Sequence, residues 1–426
     1  MADQEPVFLK CAWRLLPLMM LLYFFNITDR VNVGFAALTM NRDLGFRPSV
    51  YGFGASAFFL GYALFQVPAN AILERVGARR WIFLILLVWG ALSASNAAVH
   101  NAPQFYTVRI LLGIVEAGFF PGMILYLTYW FTKSFRGRLV ALFMAAVPLA
   151  NMVGAPLSSL ILQLSGAGGL TGWQWLFVLE GVPTILLAFV VLKILPDKPA
   201  DASWLNDQER GIIAARLKSD DTSEHRSFWP ALRDPRVYAL GVVYFGYSIA
   251  FYGVGLWMPL IVQGMGVSNL MTGFAIAPAY FVAVVAMILW GRSSDKSGER
   301  VWHVALPALM MMTAFLIGSV VRNDFVVYLM LSLVLVGSMA LQGPFWVLPS
   351  SFLSGAAAAG GIALINTMGT AAGGFAGPYI LGLIKEATGG YAAGMAALAI
   401  GPFLTATIVL MLGRATRRAE RAKATA

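Results

Sequence analysis

Five charged residues interrupt long apolar runs of the chain: Asp29, Arg30, Arg109, Glu116 and Glu180. An ionised side chain near the middle of a bilayer costs at least about 2.5–3.5 kcal/mol on insertion scales, so such residues mark function by default. In a helix, Arg109 and Glu116 stand two turns apart on one face, whereas the adjacent Asp29 and Arg30 point about 100° apart. One of the latter pair can therefore meet the helix of Arg109 and Glu116 while the other faces a central cavity. Asp29, Arg30, Arg109 and Glu116 sum to zero when all are ionised. A salt-bridge network holding two helices together would explain that balance. Small residues, as in Gly118-Phe119-Phe120-Pro121-Gly122, bring helices together without charge, however, and four charges exceed what packing requires. The chemistry such a group supports is proton-sensitive anion binding. With both carboxylates protonated, Arg30 and Arg109 leave the site positive and an anion can enter; with both ionised the site is neutral. Proton and anion binding then reinforce one another by the same factor in each direction. An arginine fork matches a carboxylate bidentately, which makes Arg30 the expected substrate contact. Glu180 is expected near an outer helix end and is read as structural.

The elements that must position these residues follow from composition. Of the 426 residues, 59% are hydrophobic and 12% are charged, against roughly 25% charged in a soluble domain. A hydrocarbon core about 30 Å thick needs about 20 apolar residues in a helix. Twelve such windows occur, the first spanning 14–40 and the last 391–413. The first is too long, and with Asp29 and Arg30 too charged, for a cleavable signal peptide, so it is expected to insert as a span. The net charge of +10 is scattered between apolar runs rather than gathered on one face, which argues against nucleic acid. One cysteine, Cys11, and three histidines leave little for a disulfide framework or a structural zinc site. With the N-terminus cytoplasmic, only Arg42, Arg47, Arg322 and Lys385 of the 30 basic residues fall in outside loops, and only Arg30 and Arg109 within spans. That asymmetry predicts a multi-pass protein of the cell membrane with both termini cytoplasmic.

The long polar segment 196–235, with a short helix expected near Trp204 to Lys218, separates six spans in 1–195 from six in 236–426, the latter ending in a basic tail. Two landmarks recur at nearly one offset. Glu74-Arg75-Val76-Gly77-Ala78-Arg79-Arg80 is echoed around Asp295 and Arg300, and Gly154-Ala155-Pro156 by Ala376-Gly377-Pro378. Duplicated halves are the construction expected of a secondary transporter with its site between repeats. The predicted fold is an all-α membrane protein with 12 transmembrane helices in two pseudo-symmetric six-helix bundles. No G-x-x-x-x-G-K-[ST] loop is present to cradle ATP phosphates, and no G-x-S-x-G or H-E-x-x-H marks a hydrolase, so an enzyme is not expected.

The repeated loop signature acid-Arg-x-Gly-x-Arg-Arg resembles the hallmark of the major facilitator superfamily. Four further segments resemble its anion:cation symporter group, which includes tartrate, phthalate and 4-hydroxyphenylacetate permeases. They are Thr28-Asp29-Arg30-Val31-Asn32, the run from Arg109 through Glu116 to Gly122, Trp173-Gln174-Trp175 through Glu180-Gly181, and Ile365-Asn366. The likeness covers essentially the whole chain, with Asn70 standing where glycine is usual and Thr370 where asparagine is frequent. The resemblance implies the major facilitator fold and proton-coupled uptake of a small organic anion: a carboxylate, aromatic acid or short hydroxy- or di-acid. Protons would be the coupling ion, with no other cofactor or metal, and the carrier would act as a monomer in the lipid bilayer. It further implies proton sites at Asp29 and Glu116, Arg109 as the partner alternating between them, and Arg30 on the substrate with Tyr62, Trp346 and Asn366 lining the cavity. Gln66, Tyr126 and Gln342 are weaker lining candidates. Glu74, Arg75, Arg79 and Arg80, with Asp295 and Arg300, would latch the cytoplasmic ends of the two halves together. An uncoupled facilitator, an exporter or a sugar-acid symporter of the same fold is the alternative.

Overall fold

The computed structural model describes residues 5–220, 232–350, 352–353 and 355–424, and among them the regular structure is helical throughout. The first half comprises α1 (Glu5–Asp43), α2 (Pro48–Val76), α3 (Ala78–Ser95), α4 (Ala102–Glu116), α5 (Phe119–Thr128), α6 (Lys133–Met144), α7 (Ala146–Ile161) and α8 (Gly172–Ile194). A polar helix, α9 (Asp207–Asp220), follows where a short helix is expected. The second half comprises α10 (Pro235–Gly264), α11 (Asn269–Ser297), α12 (Val301–Val320), α13 (Asp324–Ser350), α14 (Gly355–Asn366), α15 (Gly374–Thr388), α16 (Ala392–Leu398) and α17 (Ile400–Ala424). Among the described residues, ten stretches are long and apolar enough to cross a membrane. Of the twelve expected windows, the other two are occupied by α2 and by α14–α15, whose run is interrupted by a π-helical segment, Thr367–Gly373.

Turn chemistry sets several ends. Gly45, at φ 64°, closes the turn between α1 and α2, and Gly298, at φ 69°, ends α11; both sit in the left-handed region that glycine enters without a Cβ clash. The Asn101 side chain accepts from the Gln104 N–H at 3.0 Å to cap α4, and Ser268 caps α11 through the Met271 N–H.

By packing, the chain falls into two compact units. The first is drawn from the described parts of Met1–Asn32, Gly61–Gly154 and Ile161–Ser223. Here α3 and α8 meet at Gly90 and Gly181, where a Cβ on Gly181 would lie 2.6 Å from the Gly90 carbonyl oxygen. Only glycine permits that approach, which is how small residues drive helix contact in lipid. Helix α9 docks by Lys10 Nζ–Glu209 Oε1 at 2.8 Å, beside Trp204, which stacks on Trp130 and lies under Arg14.

The second unit gathers Val33–Leu60, Ala155–Leu160 and the described residues after Glu224. In it the end of α1 and the start of α2 pack on α10 and α15. Tyr51 donates to the Leu256 carbonyl at 2.6 Å, Trp257 donates to that of Pro378 at 3.0 Å, and Gln263 donates to that of Leu38 at 3.2 Å. The Gly273 N–H donates to Ser159 at 3.0 Å. At the opposite end of α15, Glu386 accepts from the Ser49 N–H at 3.0 Å, with Arg47 3.7 Å away.

Candidate functional site

Helix α1 carries two polar faces, set by its own periodicity. Asn26 and Arg30, four apart, share one; Asp29 and Asn32, three apart, share the other. The first meets α4: Arg30 Nη2 and Nε reach Glu116 Oε2 at 3.1 and 3.2 Å, and the Asn26 amide donates to the same oxygen at 2.7 Å. Asn26 also accepts from Arg30 at 3.3 Å, and the guanidinium lies 5.2 Å from the Tyr62 ring centroid. Arg30 is the member of the adjacent pair that meets the helix of Glu116.

The second face meets α3 and α8, which the sequence reading did not bring in. Trp89 donates to Asp29 Oδ2 at 2.7 Å, and Ser93 donates to Oδ1. The Asn32 amide donates to Asp29 at 3.2 Å and also to Glu180 Oε2. Glu180 therefore does not sit near a helix end: it lies about two turns inside α8, buried and joined to Asp29 through one amide. Arg109, 1% exposed, interacts electrostatically with both Asp29 and Glu116.

Close helix contacts hold these groups in place. Gly61, next to Tyr62, lies against the carbonyl of Ile110, next to Arg109; Gly90, next to Trp89, lies against Gly181, next to Glu180. Each glycine thus sets the depth and separation of a polar neighbour. Asn26, Asn32, Trp89 and Ser93 were missed in the sequence because amides, a tryptophan and a serine in apolar helices carry little signal individually. The nearest clue was the pairing of Gly90 with Ser93 on one helix.

The remaining candidates lie elsewhere. In the second unit, Trp346 packs edge-on to Tyr244 at 4.9 Å in an aromatic cluster with Phe345 and Tyr247, and Gln342 donates to Tyr247 at 3.0 Å. Asn366 accepts from Thr370 at 3.1 Å, so the threonine that departs from the resembled pattern is bound to the asparagine that fits it. Gln66 is buried in the first unit, whereas Tyr126 donates to the Pro196 carbonyl at 2.7 Å, at a helix end. Of the latch residues, Arg75 and Arg80 are exposed. Arg79 donates to Leu192 and, through its N–H, to Asp197 at 3.0 Å. Asp295 pairs with Arg300 at 2.7 Å, and the side chain of Glu74 lies outside the described residues.

A buried charge network on α1, α4 and α8 within an all-helical chain fits the comparisons with known proteins. The family model described as Major Facilitator Superfamily matches residues 19–378. The chain belongs to the major facilitator superfamily. It is 44% identical over 414 residues to a candidate tartrate transporter of Agrobacterium vitis, covering 96% of this chain and 92% of the relative. It is 36% identical over 402 residues to a quinolone resistance transporter of Acinetobacter baumannii, covering 93% and 92%. Among solved structures, a bacterial homologue of the human lysosomal transporter Spinster, inward-facing and occupied, matches with a TM-score of 0.79 at 16% identity, over 94% of this chain and 96% of that one. This superfamily member is a multi-pass membrane transporter of the secondary type and not an enzyme.

Proposed function

We propose that the transporter takes up a small organic anion together with protons by alternating access, in the cell membrane with both termini cytoplasmic. The observation that carries this reading is the hold of Glu116 on Arg30 inside a buried network. A guanidinium tied to a carboxylate by two bonds is not free for a carboxylate substrate. Protonation of Glu116 removes the charge that holds it, and the substrate carboxylate takes that place on the fork. Release runs in reverse: loss of the proton restores the internal pair and displaces the anion. Arg109, acting on both Asp29 and Glu116, would compensate whichever carboxylate is ionised. Tyr62 supports Arg30 from the ring face, and Trp346 and Asn366 are proposed as further substrate-binding residues. Glu74, Arg75, Arg79 and Arg80, with Asp295 and Arg300, are proposed as the cytoplasmic gate.

The relative named for tartrate favours a short hydroxy- or di-acid as substrate. An aromatic acid is the second reading, favoured by the cluster of Tyr244, Phe345 and Trp346. The relative named for quinolone resistance gives the exporter alternative its support. A thermal-shift screen of purified carrier against aromatic acids, hydroxy-diacids and sugar acids at two pH values identifies the ligand, which then goes into proteoliposome uptake. Glu116→Gln is expected to abolish proton-driven accumulation and keep counterflow exchange. Undiminished accumulation by that variant would refute proton coupling at this site.

A further inference from the structure

The first unit buries three carboxylates, Asp29, Glu116 and Glu180, against one buried guanidinium, Arg109, and one part-buried, Arg30. Arg30 is held by Glu116, and Arg109 acts on Asp29 and Glu116. Glu180 is the carboxylate left over. On α1 it is joined to Asn32 and, through it, to Asp29, which also accepts from Trp89 and Ser93 on α3. Its own helix supplies Thr184, whose hydroxyl donates to the Glu180 main-chain carbonyl at 2.9 Å. The charged group that acts on Glu180 is Asp29 on α1; the charged residues of α3, Arg79 and Arg80, lie at its far end, where Arg79 reaches Leu192.

Two buried oxygens mark the spot. Among the described residues, neither Glu180 Oε1 nor Asn32 Oδ1 has a hydrogen-bond partner. Buried acceptors without a donor, on two residues already joined by one hydrogen bond, are costly in a dry site, and a proton on Glu180 turns one of its acceptor oxygens into an O–H donor. The same proton brings the sum of these five groups to zero.

We propose that Glu180 is a third proton-binding residue of the network, neutral in the state described here and coupled to Asp29 through the shared Asn32 amide. The two N–H bonds of Asn32 are divided between the two carboxyl groups, so a change of charge on Asp29 alters the hold on Glu180 and the reverse. The coupling of this proton to transport rests on the function proposed above; its presence on Glu180 does not.

Infrared difference spectroscopy on the full-length transporter in lipid vesicles, without substrate, reads the protonation directly. At neutral pH the wild type is expected to show a buried carboxylic-acid C=O band that shifts in D2O and is lost in Glu180→Gln. In Asn32→Leu the band is expected to move and to titrate at a different pH. Glu180→Asp, which keeps an acid at the position, is expected to retain a displaced band and serves if the glutamine variant does not fold. Carboxylic-acid bands identical in wild type and both Glu180 variants would overturn the assignment, and a band unmoved by Asn32→Leu would overturn the coupling to Asp29. In proteoliposomes, Glu180→Gln is expected to move fewer protons per anion. If Glu116→Gln accumulates normally while the Glu180 band is present, the proposed function fails and the proton site stands.

Discussion

At the scale of single residues, the behaviour of this network turns on a contest for one guanidinium. Arg30 makes two contacts to a single oxygen of Glu116 and a third to Asn26, a geometry that a lysine ammonium cannot reproduce although it keeps the charge. Arg30→Lys is therefore expected to weaken anion binding by about 1.5–3 kcal/mol, the range for hydrogen bonds to charged groups, as read by titration of the thermal shift. Binding unchanged in that variant would remove Arg30 from the substrate. The charged members of the site were legible in the sequence because ions inside apolar runs are rare. Their uncharged partners were not, since an asparagine in a membrane helix gives no sign of which neighbour its amide reaches. Depth along α8 is a different matter: the expected span begins within one residue of Gly172, so Glu180, eight residues on, lies about two turns inside it whichever start is taken.

At the scale of helices, glycines decide where the polar groups end up. At Gly181 an added methyl would meet the Gly90 carbonyl at 2.6 Å and the Ala94 nitrogen at 2.6 Å, both backbone atoms with no freedom to swing aside. Gly181→Ala is expected to part α3 from α8 and destabilise the fold by about 1–3 kcal/mol, the usual cost of overpacking. The accompanying sign is altered accessibility of Ser93 and Glu180, measured against Gly211→Ala on α9, where nothing lies within 4 Å of an added Cβ. Equal melting temperatures for the two variants would contradict this account. The all-helical fold and the polar linker helix were legible from hydrophobic length and charge. The breaks within spans were not: α4 gives way to α5 beside Gly118, which packs against Trp81 from another helix, and a long-range contact of that kind leaves no local trace.

At the scale of the whole molecule, the two compact units do not follow the linker alone, since Val33–Leu60 and Ala155–Leu160 pack with the second. One holding point there is open to titration. Glu386, near the end of α15 and beyond the expected span, has its carboxyl held below the usual glutamate range by its bond from Ser49, with Arg47 contributing. A carboxylate at the N-terminus of α2 also meets the positive end of that helix. Because its folded value is depressed, this contact contributes fully above the ordinary glutamate range and is lost as pH falls through the lowered value. Protection of the Ser49 amide, corrected for the intrinsic pH dependence of exchange, is expected to follow that course and to be flat in Glu386→Gln. The π-helical stretch Thr367–Gly373 carries a longer reach. A wide turn stores one surplus residue, and handing that surplus along by one place would swivel the neighbouring turns by about 100°. The backbone between α14 and α15 thus contains its own swivel joint, able to re-aim Asn366 while both flanking rods stay intact.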